Sequence, residues 1–347
     1  MGDREAGDRP LTPEAGLRGD VPVIGAGRTV TAASPHPARA AAFLAELRDR
    51  LPGLPVATDP AELEAHSRDE TADVHPPLPL AVASPATTAE VAEIVRLAAA
   101  YRVPIVPRGE GTGLSGGSVA VAGGLTVVFR RMARILEIDR ENLVAVTQPG
   151  IINASLKAAV AEHGLFYPPD PASYETCSIG GNLGTNAGGL CCVKYGVTRE
   201  AVLGLEVVLA DGSVIRTGGR NMKDVAGYDL ARLIVGSQGT LGIVTEATLR
   251  LRPTPPPKLT LLAFFATLED SGRAVARMTA AGLAPCTLEM MDGFTIRAVE
   301  EYGHFGFDTT AAAMLMVESD AAGSAAADDI AAADVACLAS GATFTLA

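Results

Sequence analysis

The most informative segment of the sequence is PRGEGTGLSGGS, residues 107–118. Its glycines at 111, 113 and 116 match the Gly-x-Gly-x-x-Gly spacing of dinucleotide-binding loops. In a Rossmann fold, a helix begins at the third glycine. Here the residues that follow, VAVAGGLTVVF (119–129), are rich in β-branched residues and glycine, so they predict another strand. The loop also lacks the Gly-Lys-Ser/Thr of a Walker motif. The sequence therefore excludes both of these folds.

A glycine-rich loop between two strands can bind an anion through its backbone. Successive amide groups in such a loop point into one concavity, and the hydroxyls of Thr112 and Ser115 can donate further hydrogen bonds. The alternative is a flexible surface turn, which seldom contains so many glycines. Arg108 either adds positive charge to the site or is a surface residue. We favour an anion site at residues 107–118.

Two further glycine clusters support a ligand site. One of them, CSIGGNLGTNAGGL (177–190), follows the rigid and acidic segment PPDP (168–171). The other is GSQGTLGIVTEATLRL (236–251). Each cluster adjoins an apolar strand or helix. Three such segments predict a long ligand that is held largely by the backbone.

The segments before the glycine loop have clear helix and strand patterns. The spacing of apolar residues predicts a helix over 36–51 and another over 87–103. Between them, Asp59 and Pro60 predict the start of a short helix. The apolar run VPIVPR (103–108) predicts a buried strand that leads directly into the loop.

After the loop, short apolar runs predict strands, and a helix is expected to end at Gly164. Asp211 and Gly212 predict a tight hairpin turn. A short helix, a glycine turn and a long strand follow over 228–253. TPPP (254–257) then breaks the chain. Beyond it, repeated strand–helix pairs and a last strand-like piece predict an α+β layer.

Composition and charge exclude several functions. The chain has 347 residues, 48% hydrophobic and 20% charged, which indicates a soluble globular protein of about two domains. A net charge of −12 argues against nucleic-acid binding. No apolar run approaches the ~18 residues of a membrane span, and the first residues do not form a secretory signal. The five cysteines include an adjacent pair and form no disulfide framework, so we expect a cytoplasmic protein.

On its glycine motifs, the sequence resembles the FAD-binding proteins of the vanillyl-alcohol oxidase and p-cresol methylhydroxylase type. It is most similar to the branch of the glycolate oxidase flavin subunit, with D-lactate and D-2-hydroxyglutarate dehydrogenases nearby. The resemblance covers about residues 55 to 320. The motifs that carry it are PRGEGTGLSGGS, PPDP, SIGGNLGTNAGG, KYGVTREAVLGLEVVLADGSVIRTGG, KDVAGYDLARLIVGSQGTLGIVTEATLRLRP and LEMMD.

This resemblance implies an α+β fold in three parts. Residues 1–35 are expected to be a flexible tail, residues 36–254 a two-subdomain FAD-binding domain, and residues 258–347 an incomplete α+β cap domain. In such proteins FAD lies between the two subdomains, and the cap covers the flavin and holds the substrate. The residues expected to bind FAD are Pro107, Arg108, Gly109, Gly111, Thr112, Gly113, Leu114, Ser115, Gly116, Gly117, Pro169, Asp170, Ser178, Gly181, Asn182, Thr185, Asn186, Gly189, Gly239, Gly242 and Ile243.

The activity that the resemblance implies is hydride transfer from a small 2-hydroxy acid to the flavin, with partner subunits or an electron acceptor. We expect non-covalent FAD, because residues 107–118 contain no histidine and the nearby cysteines are typical of small buried residues. Arg297 either binds the substrate carboxylate or is a solvated helix residue. Tyr228 either lies near the flavin or is a buried structural tyrosine. The sequence assigns no catalytic base.

Two features depart from the pattern of this branch. Gln238 stands where the branch has glutamate, so the third glycine cluster lacks one charge. The family also has a His-x-His metal motif, whereas no two histidines here are two positions apart and none follows His304. We therefore expect no metal site and an incomplete cap. Three hypotheses remain: an incomplete chain of a 2-hydroxy-acid dehydrogenase, a non-catalytic flavin-binding subunit, and a degenerate fragment that does not hold FAD.

Overall fold

The computed structural model describes residues 37–347, so the tail expected at residues 1–35 lies outside the described part. The first region comprises α1 (Pro37–Arg50), β1 (Val56–Ala57), α2 (Pro60–Ala65), β2 (Ala81–Ala83), α3 (Thr88–Tyr101), β3 (Ile105–Arg108) and β4 (Leu125–Val128). Its sheet has the order β1-β2-β4-β3, in which β4 pairs in parallel with β2 and β3.

Local sequence signals explain the helices of this first region. The Asp59 side chain accepts a hydrogen bond from the Glu62 amide and begins α2, as the sequence predicted. The Thr87 side chain likewise accepts a hydrogen bond from the Glu90 amide and begins α3. Helix α3 ends at Tyr101, and Arg102, which has a left-handed φ of 52°, caps its C-terminus. Strands β2 and β4 are buried throughout, as expected of parallel strands covered on both faces.

The second region holds a larger antiparallel sheet. It comprises β5 (Ile135–Asp139), β6 (Val144–Thr147), α4 (Asn153–Ala161), β7 (Leu165–Phe166), α5 (Ile179–Thr185), α6 (Cys192–Tyr195), β8 (Val202–Val208), β9 (Val214–Gly218), α7 (Leu230–Ile234), β10 (Ile243–Arg250) and β11 (Arg252–Pro253). The sheet order is β5-β6-β10-β8-β9, and β11 pairs with β7. Burial alternates along β10, so one face of this sheet packs on the core and the other faces solvent.

Several predictions for this region are confirmed, and others are wrong. The hairpin between β8 and β9 turns at Asp211 and Gly212, where Gly212 has a φ of +77°. Helix α4 ends at Ala161, three residues before the expected Gly164. The second glycine cluster, for which the sequence predicted no helix, contains helix α5. This helix forms because the Ser178 side chain accepts a hydrogen bond from the Gly181 amide.

The last region is the α+β layer that the sequence predicted. It comprises β12 (Leu259–Phe265), α8 (Leu268–Ala280), β13 (Thr287–Asp292), α9 (Gly293–Gly303), β14 (Ala313–Ser319), α10 (Ala325–Leu338) and β15 (Ala342–Leu346). Its antiparallel sheet has the order β13-β14-β12-β15. Helices α8 and α10 cover one face of that sheet and form a core with it.

Candidate cofactor site

The three glycine clusters meet around a cavity of about 510 Å³. They are far apart in the sequence, and the sheets bring them together: the first cluster follows β3, the second surrounds α5, and the third lies between α7 and β10. The predicted FAD-binding residues that line the cavity are Pro107, Arg108, Gly109, Gly111, Thr112, Gly113, Leu114, Ser115, Gly117, Ser178, Gly181, Asn182, Thr185, Gly239, Gly242 and Ile243.

Five predicted residues lie behind the cavity wall and do not line it. Gly116 donates its amide to Thr71 Oγ1 at 2.6 Å. Asn186 ends α5 with a φ of 52° and accepts a hydrogen bond from the Arg199 amide. A Cβ at Gly189 would lie 1.9 Å from the Asp170 carbonyl oxygen. Pro169, beside Asp170, is buried. These residues support the wall.

The backbone of the first glycine loop has unused hydrogen-bond donors. Within residues 37–347, the main-chain amides of residues 110–115 have no hydrogen-bond partner. Unpaired amides in a cavity cost stability unless water or a ligand accepts from them. A run of such amides is the backbone arrangement that binds phosphate groups. The loop therefore fits the diphosphate of FAD.

The polar segment of residues 67–71, which has no pattern in the sequence that would single it out, holds this loop in place. The Glu70 amide donates to the Gly113 carbonyl at 3.0 Å, and the Ala120 amide donates to the Ser67 carbonyl at 2.7 Å. Asp69 accepts hydrogen bonds from the amide and hydroxyl of Ser118. Residues 67–71 form neither helix nor strand, so they have no periodicity that could have identified them.

Arg108 lies beneath the loop rather than on the surface. Arg108 is only 6% exposed, and its Nη1 donates to the carbonyl and hydroxyl oxygens of Ser118 at 3.3 and 3.4 Å. A Cβ at position 111 would lie 2.1 Å from Nη2, so Gly111 leaves the room that the guanidinium occupies. Burial lowers the pKa of Arg108, although the charge of Asp69 opposes this shift.

The second glycine cluster approaches the first loop very closely. A Cβ at Gly109 would lie 2.8 Å from Ser178 Oγ and 3.1 Å from the Gly181 Cα. A buried amide network holds α5 from the other side. Asn153 Nδ2 donates to Asn182 Oδ1 at 2.9 Å, and Asn182 Nδ2 lies 3.1 Å from Cys177 Sγ. The sequence did not single out Asn153, because its partner is 29 positions away.

Gln238 connects the third glycine cluster to the other two. It has a left-handed φ of 52°, and its amide donates to the Gly184 carbonyl at 2.9 Å. Its side chain lies against Gly117, where a Cβ would be 1.8 Å from Oε1. Gly239 has a φ of +75°, and a Cβ there would meet the Pro107 ring at 2.2 Å. Gln238 therefore lies in the cavity wall beside the first loop.

A polar contact joins α6, which follows the second glycine cluster, to the end of β14 in the last sheet. Lys194 and Tyr195, on α6, both bind the carboxylate of Asp320, which follows β14; the Tyr195 hydroxyl donates at 2.5 Å. Asp320 is buried. Burial alone would raise the pKa of Asp320, but the hydrogen bonds from Lys194 and Tyr195 outweigh it, so the pKa lies below its usual range. Nearby, Lys258 forms an ion pair with Glu318 at 2.8 Å.

The remaining candidate residues lie apart from the cavity. Tyr228 is 94% exposed, so it is not a buried structural tyrosine, and it is not among the residues that line the cavity. Arg297 is exposed on α9, as its alternative interpretation predicted. In residues 37–347, no group of three or more His, Cys, Asp or Glu side chains is placed to hold a metal ion. No helix of that part is long and apolar enough to span a membrane.

Comparison with known proteins identifies the family of the chain. Residues 79–218 match the FAD binding domain family, and residues 254–345 match the C-terminal domain of the FAD linked oxidases. The chain belongs to the FAD-linked oxidases. The two matches confirm the resemblance seen in the sequence and the expectation of FAD as cofactor.

Curated relatives support this membership. The glycolate oxidase subunit GlcD of Bacillus subtilis is 51% identical over 243 residues, which are 70% of this chain and 52% of that protein. The D-2-hydroxyglutarate dehydrogenase of Xanthomonas citri is 41% identical over 73% of this chain and 53% of its own length. The chain thus spans about half the length of these relatives.

The fold comparison confirms the α+β architecture. The crystal structure of p-cresol methylhydroxylase with bound substrate superposes with a TM-score of 0.74 at 17% identity. That comparison covers 90% of this chain and 66% of the other. At this level of identity the likeness concerns the fold alone.

Proposed function

We propose that this chain is the FAD-binding part of an oxidoreductase that oxidises a small 2-hydroxy acid of the glycolate or D-lactate type. The observation that carries the proposal is the cavity with unpaired amides at residues 110–115, in a chain 51% identical to a glycolate oxidase subunit. We also propose the domain division given by the sequence, with residues 36–254 binding FAD and residues 258–347 forming part of the cap.

Different residues of the cavity wall have different roles in binding FAD. The amides of residues 110–115 bind the phosphate groups, because they are the donors left without partners. Gly109 and Gly181 let the first loop and α5 approach each other. Gln238 lies beside Gly117 and closes the wall. When bound, FAD supplies a two-electron acceptor for the hydride of the alcohol carbon.

The reaction class rests on the relatives rather than on a catalytic side chain of this chain. Both relatives named above act, by their names, on glycolate or on D-2-hydroxyglutarate. These substrates share a carboxylate next to a secondary or primary alcohol. Because GlcD is described as a subunit, we propose that this chain also works with partner subunits or an electron acceptor in the cytoplasm.

The proposal is tested by reconstituting the purified chain with FAD and removing unbound flavin. We expect a yellow protein whose flavin absorbance bleaches under anaerobic conditions with glycolate, D-lactate or D-2-hydroxyglutarate. Acetate, which lacks the hydroxyl group, serves as the control. A yellow protein that no 2-hydroxy acid bleaches favours the non-catalytic flavin-binding subunit. A protein that stays colourless refutes FAD binding and favours the degenerate fragment.

A further inference from the structure

We propose that the last region of the fold, residues 258–347, is a hinged lid that a single polar latch holds against the rest of the protein. The hinge is the segment 254–257, and the latch consists of Lys194, Tyr195 and Asp320. Such a movement goes beyond the proposed function, since it does not depend on which ligand the cavity binds. It opens the cleft between α6 and β13.

Within residues 37–347, no hydrophobic core joins the lid to the rest of the fold. The buried apolar side chains form separate clusters, and each cluster lies either wholly before residue 254 or wholly after residue 257. Domains whose interface is not large and hydrophobic are expected to move relative to each other. The lid has a core of its own, so it moves as one body.

The connection between the two parts is a short segment rich in proline. The Thr254 amide donates to the Gly164 carbonyl at 3.0 Å and ties the beginning of this segment to the fold. The three prolines at 255–257 have no amide hydrogen to donate. Proline-rich segments stay extended and act as semi-rigid spacers. Rotation of the lid is therefore confined to the two ends of the segment, at Thr254 and Lys258.

The hydrogen bonds that cross between the two parts all involve α6 or the residue before it. In residues 37–347, they are the bonds from Lys194 and Tyr195 to the Asp320 carboxylate, and a contact of 3.6 Å between Lys258 Nζ and Cys191 Sγ. The Asp320 side chain is almost fully buried. Bonds to a buried carboxylate are stronger than bonds to a solvated one. The polar attachment of the lid thus depends on one carboxylate.

The rest of the fold holds the latch tyrosine in place. The Tyr195 ring packs edge-on against Phe166, with 5.7 Å between the ring centroids. The Arg252 guanidinium lies over the same ring, 5.1 Å from its centroid. Both neighbours come before the hinge in the chain. Tyr195 therefore stays in position when the lid moves, and Asp320 is the group that leaves.

Two acids on opposite sides of the cleft repel each other. Glu289, on β13 of the lid, lies close enough to Asp170 for that charge to act on it. Burial and the charge of Asp170 raise the pKa of Glu289. Like charges across an interface oppose its closure. The latch therefore acts against a repulsion, and its loss favours the open cleft.

Native cysteines serve as probes of the opening. Cys191 lies against Lys258, and Cys286 lies near Tyr195, so these two junction cysteines are buried where the parts meet. Cys337 lies instead in the core of the lid. Burial raises the pKa of both Cys191 and Cys337 to about 11, so these thiols are matched in acidity. Their reaction with N-ethylmaleimide in the folded, ligand-free chain is followed by peptide mass spectrometry.

The test variant is Asp320→Asn. The matched control is Arg220→Met, which removes an ion pair with Glu137 that lies entirely on one side of the hinge. We expect D320N to label the junction cysteines about 10- to 100-fold faster than the wild type, the range that corresponds to loss of a charged hydrogen bond. Cys337 should react as slowly as in the wild type, and R220M should leave all three rates unchanged.

Equal acceleration at Cys337 would indicate unfolding instead of a hinged movement and would overturn the proposal. Unchanged labelling of the junction cysteines in D320N would overturn it as well. If D320N does not fold, Tyr195→Phe decides, because it removes a single hydroxyl donor. Labelling of the junction cysteines alone that is about two- to tenfold faster supports the lid, and unchanged labelling refutes it. A chain that fails to bind FAD refutes the proposed function and leaves this result unaffected, since the labelling needs no ligand.

Discussion

Replacing Gly109 with alanine tests the geometry of the cavity. The added methyl group would lie 2.8 Å from Ser178 Oγ and 3.1 Å from the Gly181 Cα, inside the 3.4 Å at which ordinary contact begins. Ser178 Oγ can rotate away only by giving up its hydrogen bond to the Gly181 amide, at about 1 kcal/mol for a lost helix cap. If the loop moves instead, overpacking costs about 1–3 kcal/mol.

Either response displaces the amides that face the ligand. We therefore expect Gly109→Ala to weaken FAD binding by about 10- to 100-fold, since each 1.4 kcal/mol corresponds to a factor of ten. The assay is a fluorescence titration of the FAD-free chain, together with its thermal unfolding. Gly53→Ala is the control, because a Cβ at Gly53 meets no atom within 4 Å. It should bind FAD like the wild type.

A double-mutant cycle with Ser178→Ala separates the two responses. If the methyl group collides with Ser178 Oγ, removing this oxygen costs less in the Gly109→Ala background than in the wild type. Equal costs in both backgrounds would show that the two residues do not interact. Undiminished FAD binding by Gly109→Ala would refute the close approach of the loop and α5 altogether.

Three further outcomes are expected. Asp320→Asn should lower the melting temperature at neutral pH. Because the folded-state pKa of Asp320 is depressed, the stability that it contributes is present above the ordinary carboxyl pKa and is lost as pH falls through the lower, folded-state value. The gap between wild type and variant should therefore close in acid, and a gap independent of pH contradicts the charge-based account. Gly272→Ala, in the interior of α8 with no atom within 4 Å of its Cβ, should stabilise the protein by about 0.5–1 kcal/mol in chemical denaturation. Tyr167→Phe should not destabilise it, because the fully buried Tyr167 hydroxyl has no hydrogen-bond partner among residues 37–347; a loss above about 1 kcal/mol would reveal one.

The sequence predicted the elements whose signals are local. The helix caps at Asp59 and Thr87 and the turn at Gly212 depend on residues within three positions of each other, and the structure confirms all of them. The strand after the first glycine loop followed from its β-branched residues, and this excluded the Rossmann fold. Helix α5 was missed because it is only seven residues long, about two turns, and includes two adjacent glycines, which have a low helix propensity.

The site itself could be predicted only in part. Glycines that line the cavity have recognisable spacings, so the resemblance located the three clusters. The residues that hold those clusters, such as Ser67 and Asn153, act through single hydrogen bonds to distant backbone or side-chain atoms. Their neighbours in the sequence give no sign of such contacts. Arg108 was identified, but only the fold distinguishes a buried cation from a surface arginine.

The contact between α6 and Asp320 shows why distance in the sequence limits such inference. Lys194 and Asp320 are 126 positions apart, and neither has an unusual neighbourhood in the sequence. Their contact nevertheless connects the second region to the last sheet. The Cys191 amide, at the start of α6, donates to the Asp170 carboxylate, which lies behind the wall. A short path of hydrogen bonds thus runs from Asp170 through α6 to Asp320. Only the step from α6 to Asp320 joins two regions of the fold, because Asp170 and α6 both belong to the second region.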